Sequence, residues 1–365
     1  MDIQIVPIES DRLRTPPTDD YGFCQVFANR MFTQRYSPNR GWHDAQIQPY
    51  GPLELDPATS SLHYAQMIFE GMKAYRRADG RINLFRPWEN MRRFNNSARR
   101  MAMPAVDEEE HLAAICELIA IEADWVPQQS DASLYIRPTM IATDHTLGVK
   151  ASATYLHFVI ISPVGAYFVG GFNPVPVYIT DEYVRAVAGG VGEAKTGGNY
   201  AASLYAGEEA RHRGYSQVLW LDAIERRYVE EVGAMNICFV YEGQRIVTPP
   251  LTGSILPGVT RQSVIELGRH LGYEVAEERI YVHDMLDDIR HGRITEVFGC
   301  GTAAVIAPVG KFGFHDEEIV ISDGQPGPVS HKLYQTLVDI QYGRAADPLG
   351  WVYTITQNGH HSDGR

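Results

Sequence analysis

No run of about 18 apolar residues occurs in the chain, so no stretch of it is long enough to cross a bilayer as a helix. Metal-binding cysteine spacings are missing too. The four cysteines, Cys24, Cys116, Cys238 and Cys300, lie far apart and form no CxxC pair. That excludes a zinc ribbon or a disulfide framework and points to reduced thiols in a cytoplasmic protein. Excess positive charge is also lacking: 32 Lys and Arg face 45 Asp and Glu, a net charge of −13 spread without long blocks. A diffuse acidic balance opposes nucleic acid and anionic membrane as main partners. The first residues, Met1-Asp2-Ile3-Gln4-Ile5-Val6-Pro7, carry neither a basic start nor an apolar block, so no secretory signal or transit peptide is expected. Repeats and low-complexity segments are absent as well. What remains is an ordinary globular composition, 365 residues with 44% hydrophobic and 21% charged. That length allows two or three domains and a sizeable core.

The first sixty residues are rich in turn formers, such as Thr15-Pro16-Pro17-Thr18-Asp19-Asp20, and carry only short apolar stretches. From Asp107 to Trp125 apolar residues recur at three- and four-residue steps after an acidic start, which predicts an amphipathic helix. Ser133 to Arg137 and Tyr155 to Ile161 read as strands from their β-branched and aromatic content. The glycine-rich stretch Gly165 to Pro174 interrupts this order and reads as a linker. The expected organisation is a smaller α/β domain over 1–165, a linker over 166–175 and a larger α/β domain over 176–365. In the second domain strands are predicted at Val218 to Leu221, Ile237 to Tyr241 and Glu296 to Phe298. Helices are predicted from Tyr200 to Arg213 and from Arg261 to Leu271, the latter stopped by Gly272.

The most informative segment is Ala188-Gly189-Gly190-Val191-Gly192-Glu193-Ala194-Lys195-Thr196-Gly197-Gly198-Asn199-Tyr200. It nearly matches a P-loop, with the strand Val218 to Asp222 as a possible magnesium-binding partner. Ala194 stands where that loop needs glycine, however, and Gly197-Gly198 follow where it must open a stable helix. A lysine on a thin, glycine-lined backbone suits a flat aldehyde cofactor such as pyridoxal phosphate, which a lysine amine holds as a Schiff base. The bland alternative is a surface lysine in a flexible loop.

Downstream residues favour the cofactor. Pyridoxal phosphate needs a carboxylate at its pyridine nitrogen, a donor near its phenolic oxygen and an anion site for its phosphate. Glu230-Glu231-Val232-Gly233-Ala234-Met235-Asn236 offers the carboxylate between two predicted strands, and Tyr200 offers the phenol. Leu256-Pro257-Gly258-Val259-Thr260 runs into a predicted helix N-terminus, a ready anion site. Gly301-Thr302-Ala303-Ala304 follows a strand and offers a second side to the phosphate.

Taken with Leu62-His63-Tyr64-Ala65, Phe69-Glu70-Gly71-Met72-Lys73-Ala74-Tyr75 and Ser133-Leu134-Tyr135-Ile136-Arg137-Pro138, these segments resemble the branched-chain amino-acid aminotransferases. Those are fold-type IV pyridoxal phosphate enzymes with two α/β domains, and the C-terminal half is especially similar to their actinobacterial branch. The resemblance implies transamination of leucine, isoleucine and valine with 2-oxoglutarate, and Lys195 as Schiff-base lysine and proton shuttle. Glu231 would pair with the pyridine nitrogen and Tyr200 with the phenolic oxygen. Arg93, Val259, Thr260 and Thr302 would hold the phosphate. Phe23, Tyr64, Phe69 and Tyr167 would wall an apolar substrate pocket, and the amide of Ala303 would hold the substrate carboxylate. Tyr135 and Arg137 would receive the distal carboxylate of glutamate. It also implies a homodimer whose sites are completed by a partner loop, here Leu147-Gly148-Val149, and no metal. Related chemistries of the same fold, a D-amino-acid aminotransferase or an aminodeoxychorismate lyase, are opposed by Tyr135-Ile136-Arg137 and Phe69-Glu70-Gly71. The chain departs from the pattern in three places. Ala28-Asn29-Arg30-Met31 replaces a Thr-Asp-His-Met run, and Ala234 replaces a hydroxyl residue of some members. Ala304-Val305-Ile306-Ala307 replaces a CxxC pair, which excludes a thiol switch there.

Overall fold

The computed structural model describes residues 1–19, 21–129, 131–165 and 172–355. Two compact units divide the chain. The first comprises Met1–Tyr167, Ala194–Gly197 and Asp339–Arg365, and the second comprises Phe168–Glu193 and Gly198–Val338.

In the first unit a nine-stranded sheet is almost wholly antiparallel. Its order is Gln4–Ile5, Gly41–Pro49, Arg30–Ser37, Tyr155–Val164, Ser133–Ala142, Met72–Arg76, Ile82–Phe85 and Val352–Ile355, with Met67–Phe69 also paired to Ser133–Ala142. The helices Pro87–Arg100 and Glu108–Ile121 belong to the same unit. Met91, Leu112, Ile115, Leu118 and Ile119 from their apolar stripes join Phe32, Ile47, Leu84 and Leu134 of the sheet in one core. Each such burial contributes about 1.5–3 kcal/mol. The second helix starts where its sequence says, because Asp107 accepts the N–H of Glu110 as an N-cap, worth about 1 kcal/mol.

In the second unit six strands close into a ring. Val229–Val232, Gln217–Leu221, Val175–Thr180, Val305–Phe314, Ile294–Gly301 and Met235–Tyr241 follow one another, and the last pairs back with the first. Val175–Thr180 runs parallel to both of its neighbours. Val177, Leu219, Ile237, Phe239 and Val297 share the core with Met285 and Leu286 of the helix Val282–Arg290.

Three expectations need correction. The chain does not divide at one point, because its last strand, Val352–Ile355, pairs antiparallel with Ile82–Phe85 in the first sheet. The supposed turn-rich start contains two long strands, Arg30–Ser37 and Gly41–Pro49. The helix expected from Tyr200 to Arg213 is two pieces, Gly197–Ala201 and Leu204–His212. Ser203 Oγ turns back to the carbonyl of Tyr200 at 2.7 Å where they part, a local bond that competes with helix.

Candidate active site

The sequence-predicted residues fall into two groups, one in each unit. In the first, the strand Met67–Phe69 runs into Glu70 and Gly71. The N–H of Phe69 donates to the carbonyl of Lys195 at 3.0 Å, and Lys195 N–H donates to Ser97 Oγ at 2.9 Å. Thr196 Oγ1 donates to the carbonyl of Met67 at 2.6 Å. The lysine is therefore fixed in place through its backbone. Its Nζ lies 4.9 Å from the centre of the Phe69 ring, and the guanidinium carbon of Arg137 lies 4.7 Å from the same centre. Arg137 Nη2 donates to Tyr135 OH at 3.1 Å, and the ring of Phe23 meets that of Tyr135 edge-on at 5.6 Å. Tyr135 and Arg137 share a face because they are two apart on the strand Ser133–Ala142. Gly71 makes room for Tyr135: a Cβ there would lie 2.1 Å from Tyr135 OH.

Arg93 is committed to Glu70. Its Nε and Nη2 donate to the carboxylate at 2.7 and 2.9 Å, with both residues buried. Burial alone would raise the Glu70 carboxyl, but the Arg93 and Lys195 charges and the Arg93 and Asn90 hydrogen bonds hold it below the usual range. Tyr64 belongs with the loop at Leu147, since its hydroxyl donates to the Leu147 carbonyl. Leu147 and Val149 are exposed. His63 is satisfied at 2.8 Å by the carbonyl of Pro57. Tyr167 lies outside the described residues.

In the second unit Glu231 and Tyr200 line one pocket with Arg185, Asn199, Ala234 and Leu256. Glu231 stands within the strand Val229–Val232 rather than between strands, opposite Asn236 of the next strand. Gly233, with φ +56, turns the chain between them. Arg185 forms an ion pair with Oε2 of Glu231, and Asn236 Nδ2 donates to Oε1 at 3.1 Å. These side-chain partners orient the carboxylate and satisfy its oxygens in a place where it is almost fully buried. Neighbouring Glu230 accepts from Ser254 Oγ at 2.5 Å, and burial raises its carboxyl pKa.

The helix Val259–His270 opens on Gly258, whose position no side chain caps. A Cβ at Gly258 would lie 2.0 Å from Asn236 Oδ1, so the glycine brings the helix start against the Glu231–Asn236 pair. Thr302, Ala303 and Ala304 form the turn joining the strands Ile294–Gly301 and Val305–Phe314, with Gly301 paired to Val305. Val305 takes φ +61, a strained value for a β-branched residue and one that recurs at functional sites.

Within the second unit the donor set fits pyridoxal phosphate: a buried carboxylate and a phenol line one pocket, and an uncapped helix start lies against the carboxylate's partner Asn236. Among the described residues no group of His, Cys, Asp or Glu could hold a metal ion. Nor does the P-loop alternative survive. Asp222, its would-be magnesium ligand, accepts N–H groups from Ile224, Glu225, Arg227 and Tyr228 at 2.8–3.2 Å.

The sequence alone does not mark Arg185, Asn199 and Glu70 as partners of the candidate residues. Glu70 and Asn199 lay inside quoted motifs, whereas Arg185 sits in an aperiodic loop that carries no local signal.

Comparison with known proteins agrees with this chemistry. The model of the family described as Amino-transferase class IV matches residues 67–312. Branched-chain-amino-acid transaminase 1 of Bacillus subtilis is 52% identical over 341 residues, 93% of this chain and 96% of its own. A probable branched-chain-amino-acid aminotransferase of Streptomyces coelicolor is 51% identical over 347 residues, 95% of this chain and 96% of its own. The crystal structure of the T.th. branched-chain amino acid aminotransferase complexed with N-(5'-phosphopyridoxyl)-L-glutamate is similar with a TM-score of 0.73. Its identity is 28%, covering 91% of this chain and 100% of that one.

Proposed function

The chain belongs to the class IV aminotransferases, and on that premise we propose that it exchanges the amino group of leucine, isoleucine or valine with 2-oxoglutarate, using pyridoxal phosphate. The cofactor, when bound, supplies an aldehyde carbon that links to an amine and a protonated ring that draws electrons from the substrate. The chain's own residues do the rest. Lys195 would hold the cofactor through its Nζ, and the same amine, once free, would accept the proton of the substrate α-carbon and give it back. Glu231, oriented by Arg185 and Asn236, would pair with the pyridine nitrogen and favour its protonated form. Tyr200 would offer its hydroxyl to the phenolic oxygen. The phosphate is assigned to the start of the helix Val259–His270 with Thr260 and Thr302, and to Arg93, which Glu70 orients. Phe23, Phe69 and Tyr167 are assigned to the wall against an alkyl side chain, and the amide of Ala303 to the substrate carboxylate. Tyr64, Leu147 and Val149 are assigned to a partner copy's site in a cytoplasmic homodimer.

The observation that carries this reading is the Phe69 ring, which has both Lys195 and Arg137 over it. An apolar face next to the reacting amine suits leucine, and a cation on the same ring suits the distal carboxylate of glutamate. Purified holoenzyme should be yellow. L-leucine should convert it to the amine form in a single turnover, and 2-oxoglutarate should restore the colour. Bleaching by D-alanine but not by L-leucine would contradict the reading.

A further inference from the structure

The chain between Thr143 and Thr154 is stitched closed. Thr143 N–H donates to the carbonyl of Thr154 at 2.9 Å, and the two threonine hydroxyls meet at 2.9 Å. Asp144 is the hub. Its Oδ1 accepts the N–H and Oγ1 of Thr154 at 3.0 and 2.9 Å, and its Oδ2 accepts the N–H of Ala153 at 3.1 Å. Lys150 Nζ lies 3.5 Å from Oδ2. The main chain of Asp144 is held as well. Its N–H donates to Ser152 Oγ at 3.1 Å, and its carbonyl accepts from Ser60 N–H at 2.9 Å. Farther out, Thr146 N–H donates to the carbonyl of Ala58 at 2.9 Å, and Gly148 N–H donates to Thr146 Oγ1 at 3.0 Å.

This tightly bonded loop presents apolar side chains to solvent. Leu147 is 63% and Val149 84% exposed, and Tyr64, which donates to the Leu147 carbonyl, is 41% exposed. A single exposed valine needs no explanation. Two apolar side chains carried on a loop whose backbone is over-determined, with the ring of Tyr64 bonded to that loop from the helix Ser60–Tyr64, form a shaped surface.

We propose that Asp144 is a positioning residue for the transamination: it sets the shape in which Leu147 and Val149 cover the branched side chain of a substrate held by a second copy of this chain. The inference rests on the reading above, in which a partner loop completes each site. A carboxylate is required because three donors and an ammonium converge on its two oxygens. Asparagine offers one oxygen, and its amide nitrogen would face a backbone N–H. Burial raises the carboxyl, yet bonds from Ala153, Thr154 and Ser152 outweigh it and hold it down at about 2. The loop therefore keeps its shape at every working pH. Asp144 is bonded within its own loop, so its loss weakens apolar contact with substrate and leaves proton transfer alone.

The test is Asp144→Asn in the holoenzyme. KM for L-leucine should rise about 10-fold while kcat changes less than about 2-fold. Amide exchange should accelerate at Gly148, Ala153 and Thr154. Thr154→Val, which removes one donor to Oδ1, should shift KM the same way on a smaller scale, and it serves if Asp144→Asn does not fold. Differently tagged Asp144→Asn and Lys195→Ala subunits, coexpressed as mixed dimers, should recover the parent KM. In such a dimer an intact lysine faces an intact loop only across the interface. Faster exchange with an unchanged KM, or no recovery in mixed dimers, overturns the proposal. A parent enzyme that fails to turn over leucine would instead overturn the functional reading, and it is measured first.

Discussion

The ring of Phe69 has Lys195 Nζ at 4.9 Å and the Arg137 guanidinium carbon at 4.7 Å from its centre, while the Phe69 N–H donates to the Lys195 carbonyl at 3.0 Å. One residue thus ties Lys195, proposed above as the reacting amine, through both ring and backbone, to an arginine that in this proposal only one of the two substrates needs. In the same proposal leucine would meet an apolar ring. Glutamate and 2-oxoglutarate bring a second carboxylate that requires a cation.

Arg137→Ala should therefore separate the half-reactions. A charge-assisted contact in a partly buried site is worth roughly 1.5–3 kcal/mol, or about 10- to 150-fold in kcat/KM. We expect that loss with 2-oxoglutarate added to the amine form and little change with leucine added to the aldehyde form. Single-turnover absorbance measures each half. Equal losses would mean that Arg137 holds the α-carboxylate or only supports Tyr135.

Glu231→Gln removes the charge that Arg185 and Asn236 hold in place. An amide does not keep the pyridine nitrogen protonated, so kcat should fall at least about 100-fold, on the scale of other lost active-site electrostatics. Steady-state kinetics at saturating cofactor checks this. An unchanged kcat would transfer the role to Glu230, which now accepts from Ser254.

A third prediction concerns acid stability. His111 and His157 lie in the first unit's core with ring centres 4.5 Å apart, and none of their four ring nitrogens has a hydrogen-bond partner among the described residues. Burial lowers the pKa of His111 to about 3, and burial with the neighbouring His111 holds that of His157 well below its usual value. Both are neutral in the folded chain, whereas the unfolded chain protonates them near pH 6.5. Stability therefore falls as pH drops below about 6.5, by up to about 1.4 kcal/mol per histidine per pH unit. His157→Phe keeps ring contacts with Phe32 and Phe94, at 5.6 and 5.4 Å in the parent, and removes one protonation site. The drop in Tm between about pH 7.5 and pH 5 should shrink by roughly half in thermal melts. An unchanged drop would place the acid sensitivity elsewhere.

Legibility in the sequence followed the range of the interactions. Local signals read correctly: Asp107 caps its helix, and Gly272, at φ +87, ends another. The helix expected from Arg261 begins at Val259, two residues early, because Gly258 offers no side chain to mark the start. Long-range pairings were invisible. Nothing near Val352 announces a partner at Phe85, and nothing near Arg185 announces Glu231. The strands Arg30–Ser37 and Gly41–Pro49 hid behind the turn formers around them. Lys195 and Tyr200 stand out as candidates because glycines in a fixed pattern frame them, and Glu231 because it lies in the segment Glu230 to Asn236. Its ion pair was not, since only the folded chain brings the Arg185 loop back to it.

The central claim is that Lys195 carries the cofactor. The chain has five lysines, and one other, Lys73, is buried with its pKa lowered by burial to about 8, the property of a lysine primed for Schiff-base chemistry. Lys73 is therefore the internal competitor. Borohydride converts a Schiff base to a stable secondary amine, so reduction of the yellow holoenzyme followed by peptide mass mapping reads the attachment site directly. The phosphopyridoxyl mass should fall on the peptide containing Lys195, and prior addition of L-leucine should prevent its attachment. The label on Lys73, or no label on a yellow protein, would contradict the account.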